Sequence, residues 1–584
     1  MLESKIISID NEKIVFQVNE EEKVKNNLLN KYIVFTDNSS KKFIGEIYLV
    51  NGNLVGSHLL GFIENDKFIF GDMLKPNFNF NISLITKEEL DIVFATQNDT
   101  LNIGTNYVYS NYKMGLDINK FFSNHFAIFG NSGSGKSYAV ASILEKIFME
   151  GERSPFKSNF FIFDAYGEYK NCFTDIGEKY SDLNYRLITT DLTSDDEKLS
   201  IPFYLLDTDD IALLLNAEEQ SQLFIIDKAL SLVPIFSLKD DSALIYKNDI
   251  IARCLLDIIR NNDNHQIRTQ IVTVLSKFYT KDLNLNRVLT KGGWRQTVKQ
   301  CLYVDEKGKI QNIDLICEYL ESFVRVEVED NGMNNVNRYY TILDFYNALE
   351  FALISEGILN SNKVFDYANI LKVRLDNLIK SERKEFFDYN DFVDRNKYIS
   401  DLLMDDKNRK YQVINYNINS LDDRFAKVIV KILSKWLFDF TAHLNPRAEL
   451  PIHIILEEAH RYVQNDIDTE VLGYNIFDRI AKEGRKYGLI LGLISQRPSE
   501  LSKVVISQTS NFLVFKMFHK EDLEFVKSVL PIDSSEIEYR LKMLYPGNCL
   551  TIGPSFRIPI IINVDLPVRT PNSNNVDIVK TWYN

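Results

Sequence analysis

The stretch HFAIFGNSGSGKSYAVASILEKIF, residues 125–148, decides the fold. An apolar run, FAIF at 126–129, enters GNSGSGKS at 130–137, and a helix-forming segment follows at once. The middle segment satisfies G-x-x-x-x-G-K-[ST] in full, a match expected by chance on the order of 0.01 times in a chain of this length. Its glycines let backbone N–H groups converge at a helix N-terminus, which is how a chain cradles phosphate oxygens. Lys136 is then placed for the β- and γ-phosphates, and Ser137 for a hydroxyl contact to Mg²⁺. Gly130, Asn131, Ser132, Gly133, Ser134, Gly135, Lys136, Ser137 and the following Tyr138 are the candidate nucleotide-binding residues, with ATP and Mg²⁺ as cofactors. A flexible Gly/Ser turn is the alternative, and the strand–loop–helix context argues against it.

A phosphate loop needs acids, and a second stretch supplies them. In IILEEAHRY, residues 454–462, an apolar strand stops at two adjacent carboxylates. Glu457 stands where a metal-side acid belongs and reaches Mg²⁺ through a coordinated water. Glu458 follows as the residue that activates the attacking water. The bland alternative is a solvated strand end leading into a helix, where acids favour the N-terminus. Three further positions carry weaker signals. Asp164 ends the strand in FFIFDAYGEY (160–169), either as a second metal-side acid or as an ordinary turn aspartate. Gln496 ends LILGLISQ (489–496) as a candidate γ-phosphate sensor or a plain strand end. Arg479, Arg485 and Lys486 in DRIAKEGRKYG (478–488) are arginine-finger candidates, a solvated basic helix end being the alternative. His460 reads as structural, because no second His or Cys stands at metal-ligand spacing.

The rest of the chain frames this site. Its 584 residues exceed one ordinary domain. With 45% hydrophobic and 12% aromatic residues it has ample core material. The formal charge of −14 argues against a protein that coats nucleic acid with an overall basic surface, though not against a local basic lining. The runs SERKE (381–385) and KNRK (407–410) read as solvated faces. Five scattered cysteines without a CxxC pair fit reduced thiols. The N-terminus lacks the order of a signal peptide, and no apolar run reaches the roughly 18 residues of a membrane span. A cytoplasmic protein without membrane contact is expected.

The fold class expected is α/β. Residues 1–102 alternate as short strands, a small β-barrel or sandwich. Residues 103–205 show apolar strands at the spacing of a parallel sheet with crossover helices. Residues 206–404 read as a helical insertion, 405–565 resume the sheet, and 566–584 form a tail. A strong amphipathic helix is expected where Phe425, Val428, Ile429, Ile432, Leu433, Trp436 and Leu437 share one face.

Taken in order, HFAIFGNSGSGKS, FIFDAYGEY, IILEEAHRY and EGRKYGLILGLISQRPSEL, after a β-rich first hundred residues, resemble the HerA-type ATPases of the HerA/FtsK class. The N-terminal region is similar to that family's HAS barrel. The resemblance covers roughly 1–205 and 405–570. It implies a RecA-like P-loop NTPase core, a homo-hexameric ring with ATP sites between subunits, and double-stranded DNA translocated through the pore. It also implies Glu458 as the catalytic acid, Gln496 as the sensor and Arg485 as a finger acting on a neighbour's ATP. The family shows Glu-Glu or Asp-Glu at this strand end, so the pair is no departure. The segment RIPIIINVDLPVRTPNSNN would brace the adjacent subunit. In archaea the family acts with the nuclease NurA; in bacteria similar proteins accompany other nucleases or sirtuin-type NADases in antiphage defence. The alternatives are a hexameric scaffold that organises an effector without moving DNA, a conjugation-type coupling ATPase, and a metabolic P-loop kinase.

Overall fold

Alternation in the first hundred residues is answered by seven antiparallel strands. The computed structural model describes residues 4–10, 13–19, 27–37, 41–71, 74–76, 80–94, 99–149, 154–237, 241–261, 264–306, 309–325, 339–359, 362–389, 391–529, 535–573 and 578–583. The strands are β1 (Ser4–Ile9), β2 (Lys13–Val18), β3 (Tyr32–Thr36), β4 (Lys42–Asn51), β5 (Leu54–Glu64), β6 (Lys67–Phe70) and β7 (Asn81–Leu84). In β2 the apolar Ile14, Phe16 and Val18 turn inward while Lys13 and Gln17 stay exposed, the period-2 pattern of a half-buried strand. Phe16, Ile33, Phe35, Ile47 and Val55 form the core of this sheet. The spatial order is β1-β2-β5-β4-β3-β7, with β6 on β5. Two irregularities in the β4–β5 ladder, at Ile44/Gly45 and Ile47/Leu49, bend the long strands. The expected barrel is realised only in part, as a curled half-barrel. Among the described residues no pairing joins β1 to β7, and β6 extends the end of β5 instead of bridging that gap.

The next strands are β8 (Thr100–Asn106), β9 (Lys113–Asp117), β10 (Phe126–Phe129), β11 (Phe160–Asp164), β12 (Tyr185–Thr189) and β13 (Glu197–Lys198). A hairpin within the helical region holds β14 (Val288–Lys291) and β15 (Trp294–Thr297). Then come β16 (Val413–Asn417), β17 (Ile452–Leu456), β18 (Leu489–Ser495), β19 (Asn511–Val514), β20 (Asn548–Ile552) and β21 (Ile560–Val564). Twelve of these make one sheet, ordered β13-β12-β16-β11-β17-β18-β10-β19-β20-β21-β8-β9. From β12 to β19 neighbouring strands run parallel. The edge from β19 to β9 is antiparallel. The central strands β10, β11, β17 and β18 are buried throughout, as their unbroken apolar runs require in a sheet covered on both faces.

Two helices frame the central strands. The first, α1 (Lys136–Met149), leaves the phosphate loop. The second, α2 (Asp423–Ala442), is capped by Asp422, whose carboxylate accepts from the N–H groups of Arg424 and Phe425. Six of its seven expected apolar positions are buried; Val428 is half-buried.

The chain divides into two compact units. The first comprises Met1–Glu197, Ile399–Asn465 and Ile476–Asn584; the second comprises Lys198–Tyr398 and Asp466–Asn475. The second unit is mostly helical, its longer helices including Gln220–Ser237, Ile342–Leu359 and Asn362–Lys380. Its short return segment is tied in by the Tyr474 hydroxyl, which donates to Asp209 at 2.8 Å. No helix among the described residues is long and apolar enough to cross a membrane.

Candidate nucleotide site

The carboxyl end of β10 opens into the phosphate loop. The backbone takes positive φ at Gly133 (+69°) and Gly135 (+110°), angles that side-chain-bearing residues avoid. At Gly135 a Cβ would also lie 3.0 Å from the backbone nitrogen of Gly547. Neighbouring strands brace the loop. The Gly130 N–H donates to the Ser495 carbonyl at 3.3 Å, and the Asn131 N–H to the Lys516 carbonyl at 2.9 Å. The Gly547 N–H donates to the Ser134 carbonyl at 2.9 Å. Lys136 is buried, and its ammonium donates to the Asn131 carbonyl at 3.0 Å, so the cation sits inside the loop's own hollow. Burial lowers its pKa, while Glu458, Glu457 and Glu168 pull the other way.

One strand separates the loop from the acids. Glu457 and Glu458, just past β17, are both buried. Glu457 Oε2 accepts from the Ala165 N–H at 3.0 Å, and burial, with Asp164 beside it, pushes its carboxyl well above the usual range. Glu458 has φ +49° and ψ +48°, a left-handed turn that sends the chain away from the strand direction. Its Oε1 accepts from the Gln496 amide, and its Oε2 lies 3.3 Å from His460 Nδ1. Because β18 lies between β17 and β10, Gln496 stands between the acids and the loop. Ser132, Gly133, Gly135, Lys136, Ser137, Tyr138, Glu457, Glu458 and Gln496 line one cleft of about 570 Å³.

The cleft's charge suits a divalent cation with phosphates. Glu168 also lines it, its pKa raised by burial, its carboxylate facing the Ser137 side chain. The Oε2 atoms of Glu168 and Glu458 are buried without a hydrogen-bond partner in the structure. Three acids thus converge on a site whose cation is Lys136. Among the described residues no group of three or more His, Cys, Asp or Glu side chains forms a metal cage. A Mg²⁺ ion here would be shared with nucleotide oxygens and waters, the usual arrangement for this ion. Ser137 and Glu457 both line the cleft.

Other expected residues lie elsewhere. Asp164 is fully buried and occupied: its Oδ1 accepts from the Glu168 N–H and its Oδ2 from the Tyr169 N–H, both at 2.9 Å. It shapes the turn after β11 and does not line the cleft. Arg479 lays its guanidinium over the Phe438 ring at 4.8 Å and lies 3.9 Å from Glu483. Arg485 and Lys486 are exposed, just before the amino end of β18 and so at the sheet edge opposite the phosphate loop.

Among solved structures, VirB4 of Thermoanaerobacter pseudethanolicus is similar with a TM-score of 0.45 at 13% identity, covering 80% of this chain and 97% of that one. The family described as helicase HerA, central domain, matches residues 101–318. A probable DNA double-strand break repair helicase HerA of Methanocaldococcus jannaschii is 23% identical over 575 residues, covering 94% of this chain and 96% of that one. The DNA double-strand break repair helicase HerA of Pyrococcus furiosus is 23% identical over 476 residues, covering 80% and 70%. The chain is similar to HerA-type helicases over most of its length.

Two parts of the site escape a reading of motifs alone. Glu168 and Tyr166 sit in the turn after β11, and both line the cleft. The signal for Glu168 was present, an acid four residues past Asp164 in the same strand-end turn. The other part is the far wall, formed by Pro546, Gly547, Leu566, Asn572 and Ser573. The segment carrying the last three lies along the chain's own α1. The Val568 N–H donates to Glu145 Oε2 at 2.8 Å, Asp565 pairs with Lys146 at 2.6 Å, and Arg569 with Asp175 at 2.6 Å. The Asn572 N–H then donates to the Glu168 carbonyl at 2.9 Å. The segment is the one expected to brace an adjacent subunit, and its contacts within its own chain depend on where the tail returns. Residues 574 and 575, the end of the expected brace, lie outside the described residues.

Proposed function

We propose that this HerA-type chain is a Mg²⁺-dependent ATPase motor that assembles as a hexameric ring and moves double-stranded DNA. The observation that carries this reading is one cleft that joins Lys136 and Ser137 to Glu458 and Gln496 across more than three hundred residues of sequence. The loop N–H groups and Lys136 bind the phosphates of ATP. Ser137 and Glu457 would hold Mg²⁺, which would supply charge neutralisation at the phosphate oxygens. Glu458 accepts a proton from the attacking water, and Gln496, already bonded to Glu458, reports the state of the γ-phosphate. Arg485 serves the site of a neighbouring subunit. The names of the HerA relatives support a DNA substrate, and a partner nuclease or NADase in antiphage defence extends that reading. The net charge of −14 favours one second reading, a ring that organises an effector without moving DNA.

Lys136→Ala is expected to weaken ATP binding at least tenfold, since a charged hydrogen bond contributes about 1.5–3 kcal/mol. Glu458→Gln is expected to keep binding while kcat falls about 10²- to 10⁴-fold, the usual contribution of a general base. Fluorescent-nucleotide titration beside phosphate-release kinetics measures both, and normal turnover in either variant overturns the assignment. Stimulation of hydrolysis by duplex DNA separates the motor from the scaffold.

A further inference from the structure

We infer that His460, together with Ser495, is the positioning device that holds Glu458 in register with Gln496 and the phosphate loop. The inference rests on the proposed role of Glu458, and it assigns a function to a side chain whose sequence context suggested only a structural one.

Glu458 has an unusual supporting problem. It follows the last strand residues, its backbone is in the left-handed region, and its side chain must point across the top of β18. Nothing in β17 itself can fix that direction, because the strand ladder ends at Leu456. Two contacts do so, one from the end of β18 and one from the turn that follows Glu458. The Gln496 amide donates to Oε1. His460 Nδ1 lies 3.3 Å from Oε2 and 3.1 Å from Ser495 Oγ.

The tautomer follows from this geometry. A lone pair on Nδ1 would face a carboxylate oxygen, an arrangement that repels. An N–H at Nδ1 donates to Ser495 Oγ and at the same time turns its positive edge toward Glu458 Oε2, which has no hydrogen-bond partner of its own. Ser495 is itself fixed: it is fully buried, its Oγ accepts from the Arg497 N–H at 3.0 Å, and its carbonyl accepts from the Gly130 N–H at 3.3 Å. A continuous path therefore runs from the first glycine of the phosphate loop through Ser495 and His460 to Glu458. Gln496 is the next residue along the same backbone. The ends of β10, β18 and β17 are thereby locked at the atoms that hydrolysis needs.

His460 touches no reacting atom in this scheme. Its effect is on how often Glu458 faces the attacking water, so it acts on kcat and leaves ATP affinity alone. His460→Ala is expected to lower kcat about 10- to 100-fold, the range typical for removing an outer hydrogen-bond partner of a site group. The KM for ATP and the dissociation constant of a fluorescent ATP analogue should stay within about twofold, because the phosphate loop keeps its own bonds. His460→Asn, which keeps an N–H near the position of Nδ1, is expected to recover most of the lost rate. Ser495→Ala should lose rate in the same direction.

The experiment measures phosphate release and analogue binding for His460→Ala, His460→Asn, Ser495→Ala and Glu458→Gln in the full chain, with thermal melting to confirm folding. Loss in His460→Ala with rescue by Asn supports the inference. Full turnover in His460→Ala while Glu458→Gln is inactive overturns it and leaves the ATPase reading standing. Equal loss in His460→Ala and His460→Asn, or a parallel loss of ATP affinity, also overturns it, since a packing role alone would give that result. If Glu458→Gln keeps full turnover, the ATPase assignment of Glu458 fails and this inference fails with it.

Discussion

Glu457 and Glu458 are chemically identical neighbours that the backbone sends to different partners. Glu457 continues the strand and meets the Ala165 N–H, next to Asp164; Glu458, in the left-handed region, meets Gln496 and His460. The acid pair and the phosphate loop were both legible because their chemistry demands fixed residue types at fixed spacing. Glu168 was less legible, since its contribution comes from a turn whose direction Asp164 sets through two backbone hydrogen bonds. The glycines of the loop give a residue-scale test. Gly135→Ala places a Cβ where φ is +110° and where the Gly547 nitrogen stands 3.0 Å away. Strain at such a position costs about 1–3 kcal/mol. The variant is therefore expected to melt earlier and to bind ATP more weakly; calorimetric titration and thermal denaturation check both.

At the scale of elements, two buried histidines pin the ends of central strands. His125 Nε2 donates to the Ala481 carbonyl at 3.1 Å and Nδ1 accepts from the Leu491 N–H at 2.9 Å, so the ring is held neutral just ahead of β10. Its contact lies in the π-helical turn Ile480–Gly484, which precedes β18. His453, in β17, donates from Nε2 to the Phe122 carbonyl at 2.8 Å. Burial pushes both pKa values down to about 4. The unfolded chain, with ordinary histidines near 6.5, then binds more protons than the folded one between about pH 6.5 and 4. Stability from these groups is full above pH 6.5 and falls as pH drops through that window, by about 3 kcal/mol for each histidine. Denaturant melts at pH 7.5 and 5 should show this loss, and His125→Gln should flatten the slope. Neither histidine was marked by the sequence, because a strand-end His is ambiguous until the backbone groups facing its ring are in place.

At the scale of the whole molecule, Arg485 cannot serve its own chain's cleft. It precedes β18, whose seven residues separate it from Gln496 by roughly 20 Å at about 3.3 Å per residue. Arg479 is already engaged with Phe438, which leaves Arg485 as the finger the proposed ring would use. Arg485→Ala alone is expected to be inactive, and mixing it with Glu458→Gln subunits should restore part of the ATPase rate. Each variant then supplies what the other lacks, and no recovery at any mixing ratio counts against action between subunits. The sequence by itself determined the phosphate loop, the acid pair and the parallel sheet with its helical interruption. Those rest on local rules: glycine freedom, apolar runs of strand length and acids at strand ends. Tertiary structure alone decided that the N-terminal sheet stays open, that Asp164 builds a turn while Glu168 faces Ser137, that the tail straps its own cleft, and that His460 stands behind Glu458. These depend on which distant strand ends become neighbours, and the strand order β17-β18-β10 is written in no single segment of the chain.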